Sequence, residues 1–199
     1  MIRLLLIRHA TTEAVGRRLS GRKPGVHLNE NGKAQTTQLV KRLAGLPIAA
    51  VYSSPLERAV ETAIPIAKEL SLEPVISADF LEIDFGNWTD CSIEELRSDK
   101  NFQRFNSYRS STRIPGGETM LEAQQRIVSG FEKLHLQHPN QTVAVVSHSD
   151  LIKSAVAYYA GIHLDMFHRL EISPASVTIL ELFDETARLV LLNDTGTIV

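Results

Sequence analysis

The sequence predicts an α/β fold: a three-layer α/β/α arrangement around a mostly parallel central sheet. Three observations carry this. Ile2 to Ile7 (I-R-L-L-L-I) is too short for a helix and apolar on both faces, as a central strand covered by helices would be. Strand-like runs then alternate with helical ones, the pattern that builds parallel sheets with right-handed crossovers. Towards the end, 177–183 and 188–192 are two strand-like runs separated by Asp184-Glu185-Thr186, which reads as an antiparallel hairpin.

The elements follow in order. The first strand ends at Arg8-His9. Residues 10–29 carry Gly16, Gly21, Pro24 and Gly25 among Arg17, Arg18, Arg22 and Lys23, with no sustained period, and read as a loop. From Asn31, apolar Ala34, Leu39, Val40, Leu43 and Ala44 fit a helix stopped by Gly45 and Pro47. Residues 48–52 form a second strand. Ser53-Ser54-Pro55 then reads as a helix start, with Ser54 as N-cap, Pro55 in the first turn, an end near Leu70 and a kink at Pro65. Val75-Ile76 is a weaker third strand. Between 81 and 117 periodicity is lost, and aromatics from Phe85 to Tyr108 are interleaved with arginines, an excursion resembling a lid. Thr119 to His138 reads as a helix with Met120, Ala123, Ile127, Phe131 and Leu134 on one face, stopped by Pro139. Residues 142–146 form a buried strand ending at Ser147-His148, and a helix follows over 150–160. One domain over 1–199 is expected.

Composition narrows the function. The chain has 199 residues, 43% of them hydrophobic, enough for one core without staples. Cys91 is the only cysteine, so no intrachain disulfide forms, and thiolate zinc sites are excluded. No leading signal segment is evident, so a cytoplasmic location is expected. No apolar run approaches the ~18 residues that a membrane span needs. A net charge of -2 argues against a non-specific nucleic-acid binder. Any anion site must gather a few arginines by folding.

In such sheets ligands bind beyond the carboxyl ends of the strands. Two of the seven histidines, His9 and His148, stand there, and adjacency of their strands would bring the imidazoles together. The other five read as surface residues, and no HExxH pair suggests a metal. Arg8 and Arg58 add cations at strand ends, and a guanidinium fork suits phosphate oxygens. Glu82 opens the aromatic excursion and can overhang the same end; alone, it reads as a surface carboxylate.

Together these residues say more. R-H-A-T-T-E at 8–13, S-S-P-L-E-R-A-V-E-T-A at 53–63, L-E-I-D-F-G-N-W at 81–88, P-G-G-E-T at 115–119 and V-V-S-H-S at 145–149 occur in order. The chain resembles the histidine phosphatase superfamily, in the branch of cofactor-dependent phosphoglycerate mutases, fructose-2,6-bisphosphatases and α-ribazole phosphatases. Segment 21–35 is similar to a subgroup of probable phosphomutases. The resemblance implies a phosphomonoesterase in which His9 takes the phosphoryl group. Arg8, Arg58 and His148 would hold its oxygens, Ser149 would offer a backbone N–H, and Glu82 would serve as acid and then base. If Glu82 fails in that role, Asp84 and Glu118 are the next carboxylates. No metal and no cofactor are implied. Val15 stands where many members have an Asn that reaches the phosphate, and Thr11 or Thr12 can substitute. Ala10 and Ser149 replace a usual glycine.

The substrate implied is a small organic phosphate ester. A mutase is the alternative, disfavoured because Glu82 and His148 lie only 66 positions apart, without the insertion that mutases carry. A low-activity sensor or adaptor on the same fold is another, which loss of Arg8, His9 or His148 would have signalled. A homodimer through the 177–192 hairpin is a further possibility.

Overall fold

The computed structural model describes residues 1–196, and the last three residues of the expected domain lie outside the described ones. In chain order the elements are β1 (Ile2–Arg8), α1 (Glu30–Leu43), β2 (Ile48–Ser53), α2 (Glu57–Glu69), β3 (Pro74–Ile76), α3 (Ile93–Leu96), α4 (Lys100–Ser107), α5 (Met120–Gln137), β4 (Thr142–Ser147), α6 (Ser149–Tyr159), β5 (Val177–Leu182) and β6 (Ala187–Asp194). The sheet order is β3-β2-β4-β1-β5-β6. β3, β2, β4 and β1 are parallel, and the β5–β6 hairpin closes the sheet antiparallel beside β1.

The doubly apolar first strand is explained by its period of two. Leu4 and Leu6 pack with residues of α5 and α6, whereas Leu5 and Ile7 pack with α1 and α2 on the other face. Removing a leucine from either face takes some 1.5–3 kcal/mol of burial with it.

Helix starts follow local chemistry. Asn29 caps α1 by accepting the Gly32 N–H, and Thr119 and Glu122 form a reciprocal capping box at α5. At Gly32 a Cβ would stand 2.1 Å from the Thr11 carbonyl oxygen, so only glycine lets helix and loop touch. One expected start is corrected. Ser54 does not cap α2, and Pro55 is not in its first turn: the helix begins at Glu57 with Leu56 as N-cap and no side-chain cap. The reason is that Ser54 belongs to the sheet end, where its N–H donates to Val146 O at 3.0 Å and its hydroxyl meets His148. α2 then continues through Pro65 to Glu69.

The excursion is not a detached lid. Trp88, Phe105 and Ile114 are buried in the same core as α5 and α6, and the Trp88 ring meets Phe102 and Phe105 edge-on. Its two ends touch backbone to backbone: a Cβ on Gly117 would lie 2.2 Å from Asp84 O, and Glu118 N–H donates to that oxygen at 3.0 Å. The Pro115-Gly116-Gly117 motif is the close approach that closes the excursion.

Candidate active site

Strand register builds the floor. Ile7 lies beside Val146, which lies beside Ser53, so three parallel strands end level. The ladder runs one step further, with His9 N–H donating to Ser147 O at 2.9 Å. His9, Ser54 and His148 therefore emerge together just beyond it. The two imidazoles stand with centroids 5.2 Å apart. His148 is fully buried, its Nε2 is 2.8 Å from Ser54 Oγ, and its Nδ1 is 3.4 Å from Arg58 Nη2 and 3.8 Å from Glu82 Oε2.

Above this floor is a cavity of ≈ 200 Å³ whose walls include Arg8, His9, Thr12, Arg58, Glu82 and Ser149 among the expected residues. His148, fully buried, is not among the residues that line it. Thr11 does not face it: its hydroxyl donates to Gln35 Oε1 at 2.8 Å, so of the two threonines only Thr12 is available there. Val15, Leu19, Phe85 and Ile93 supply an apolar part of the wall, and Asp150, in the first turn of α6, adds a carboxylate.

Each arginine is pinned through one guanidinium nitrogen and leaves another without a partner. Arg8 donates Nη1 to Ile172 O at 2.6 Å, and Arg58 donates Nη2 to Gly21 O at 2.8 Å. Arg8 Nε and Arg58 Nη1 are buried without a hydrogen-bond partner. Unpaired buried donors on cations are costly, and an anion within their reach would offset that cost.

Proton affinities follow from burial. His9 is held well below its ordinary value by burial and then by the Arg58 and Arg8 charges, so its ring is neutral. Its Nδ1 is 2.8 Å from Ala10 O, which places the proton on Nδ1 and leaves Nε2 with a free lone pair. His148 is lowered for the same reasons. Glu82, with its side chain only 12% exposed, is pushed up to about 7 by burial and the nearby Asp150, against the pull of Arg58 and Arg8. A carboxyl that holds its proton near neutrality can donate it. Neither Asp84 nor Glu118 lines the cavity, and Glu118 is occupied by Arg22 and Arg126.

Sequence reasoning missed Ser54 and Asp150. The signal for Ser54 was present, since it follows a strand end as His9 and His148 do. Among the described residues no group of three or more His, Cys, Asp or Glu side chains gathers as a metal site would, and no helix is long and apolar enough to cross a membrane.

Known proteins resemble this chain over nearly its whole length. The family model of the histidine phosphatase superfamily, branch 1, matches residues 4–195. A bifunctional protein of Mycobacterium tuberculosis is 37% identical over 199 residues, covering 98% of this chain but 54% of that protein, so the chain spans about half the length of this relative. Phosphoserine phosphatase 1 of Hydrogenobacter thermophilus is 31% identical over 199 residues, covering 98% of this chain and 93% of the other. The solved structure of a phosphoserine phosphatase mutant from Entamoeba histolytica, in complex with phosphoserine, superposes with a TM-score of 0.88 at 27% identity over 98% of each chain. The match takes in every strand end and loop that carries the cavity, and the chain belongs to the histidine phosphatase superfamily, branch 1.

Proposed function

We propose that this chain hydrolyses a small organic phosphate monoester through a phosphohistidine on His9. The observation that carries this reading is the neutral His9 ring, its proton tied to Ala10 O, standing in a cavity lined by Arg8 and Arg58, each of which keeps one buried donor without a partner. Nε2 attacks phosphorus while the bond to the leaving oxygen breaks, and Glu82 gives its proton to that oxygen. Arg8 and Arg58 hold the equatorial oxygens, where transition-state charge develops, with the Thr12 hydroxyl and the Ser149 N–H alongside. His148 stands against Arg58 and Glu82 and supports the pair from behind the cavity wall. The ionised Glu82 then takes a proton from water as its oxygen attacks phosphorus. The N–P bond breaks, and orthophosphate and neutral His9 are restored. The apolar wall of Val15, Leu19, Phe85 and Ile93 suits the carbon part of the ester.

In this reading the positive charge comes from the two arginines, so catalysis needs no metal. A cytoplasmic location agrees with the lone Cys91. The test is phosphate release from a panel of phosphorylated metabolites that includes O-phosphoserine, run with and without a strong chelator, with the phosphoenzyme trapped in acid and base. An acid-labile, base-stable label and chelator-resistant turnover are expected. Rapid acid-stable labelling at Ser54, or activity that returns only with Mg²⁺, overturns the mechanism.

A further inference from the structure

Residues 81–85, which carry Glu82, belong to no helix or strand. Phe80, Ile83 and Phe85 bury their side chains and fix the depth of this segment, and the Ile83 N–H donates to Glu82 Oε1 at 3.0 Å, so the carboxyl is held by its own backbone. Side chains from three other parts of the chain converge on that backbone. Arg22, in the 10–29 loop, donates Nε to Glu82 O at 2.9 Å. Arg126, on α5, donates Nη1 to Leu81 O at 2.6 Å and brings Nη2 within 3.4 Å of Glu82 O. Glu118 joins the two cations, with Oε1 2.6 Å from Arg22 Nη2 and Oε2 3.0 Å from Arg126 Nη2, and Oε2 also accepts the Asp84 N–H at 3.1 Å.

We propose that Arg22, Glu118 and Arg126 are positioning residues that place the Glu82 carboxyl for proton transfer to the leaving oxygen, an inference that rests on the acid role given above. None of the three lines the cavity, so none touches substrate. They grip the peptide units on both sides of the acid, and their side chains are only 29%, 22% and 20% exposed, so these bonds are far less screened than surface pairs. An acid must come within ~2.6–3.2 Å of the oxygen that it protonates. A misplacement of about 1 Å can cost ~10²-fold. The grip also reaches the phosphate side, because Gly21, next to Arg22, accepts from Arg58.

The test separates positioning from mere stability by means of the leaving group. Glu118→Gln keeps the shape and removes the charge that joins the arginines; Arg126→Lys is the milder companion, read by the same criteria if Glu118→Gln does not fold. The phosphorylation step is timed by its burst with O-phosphoserine, whose alkoxide must be protonated, and with p-nitrophenyl phosphate, whose leaving group departs as a stable anion. Each variant should slow the first by roughly 10-fold and the second by about twofold or less. Combined with Glu82→Gln, Glu118→Gln should add no further loss with phosphoserine, because the group that it places is gone. Equal slowing with both esters, or losses that multiply in the double variant, overturn the positioning role. If Glu82→Gln itself shows no contrast between the esters, the acid assignment falls and this inference with it. If Glu82→Gln shows the contrast and neither clamp variant does, only the clamp falls.

Discussion

On one side of the cavity, His9, Ser54 and His148 hang from the ends of three parallel strands whose backbone hydrogen bonds continue to the last residue before the site. On the other, Glu82 rides on a segment without ladder bonds, whose backbone is held by side chains that arrive from the 10–29 loop, the excursion's end and α5 and whose Ile83 N–H holds the carboxyl. Backbone register places a group whatever the neighbouring side chains are. Side-chain placement depends on every member of the network and fails with any of them. The nucleophile half should therefore tolerate substitution around it, and the acid half should not.

The largest expected effect lies in the ladder-held half. His9→Ala should lower turnover by at least ~10³-fold and remove the acid-labile label, while the thermal midpoint moves little, since β1 and its ladder remain. A large fall in midpoint would break the comparison by showing that the sheet end needs its side chains.

Next comes the acid. Glu82→Gln should slow phosphorylation by an alkyl phosphate by roughly 10²-fold, and by p-nitrophenyl phosphate much less. The burst must be read, because the same carboxylate acts in dephosphorylation. Equal losses with both esters would rule Glu82 out.

The same variant sharpens the contrast through stability. Glu82 holds its proton up to about 7 in the folded chain, above the ordinary glutamate range. Between those values the folded state binds a proton that the unfolded state has released, so stability falls as pH rises through that window. Gln has no proton to lose. Glu82→Gln should be more stable than the parent above about pH 8, by something of the order of 1–3 kcal/mol, and show no such gain near pH 4. Denaturant midpoints at the two pH values check this; a gain that is equal at both would show that burial does not hold the carboxyl neutral.

The smallest effect is expected at Val15, which lines the cavity without offering a donor. Val15→Asn should tighten inhibition by inorganic phosphate by only a few fold, in line with one added hydrogen bond of about 1 kcal/mol. No change would mean that Arg8, Arg58 and Thr12 already satisfy the phosphate oxygens.

The ladder-held half was also the legible one. An aliphatic run over 2–7, broken only by Arg3, announces a buried strand, and the residue after it falls at the ligand end, so Arg8, His9 and His148 could be named from local pattern. The choice between Thr11 and Thr12 could not. Thr12 forms an isolated bridge with Leu28, and Thr11 is drawn to Gln35 on α1, both partners being distant in sequence. Ser54 was misread because Ser-Ser-Pro is a good helix start, and only the pairing with β4 diverts its N–H to the sheet. The aromatic excursion looked like a lid because its apolar residues follow no period; packing placed them in the core.

What the sequence determined by itself is whatever short-range chemistry specifies: the alternating elements, the strand ends that carry the histidines, and a motif set whose order implies the family. What only the tertiary structure decided is how those ends meet. The level register of β1, β4 and β2, the unpartnered donors of Arg8 and Arg58, the raised proton affinity of Glu82 and the contacts of Arg22 and Glu118 beside it all arise between residues far apart in the chain. The hydrogen bonds and buried charges that set such contacts have no local period, and they exist only once the core has closed around them.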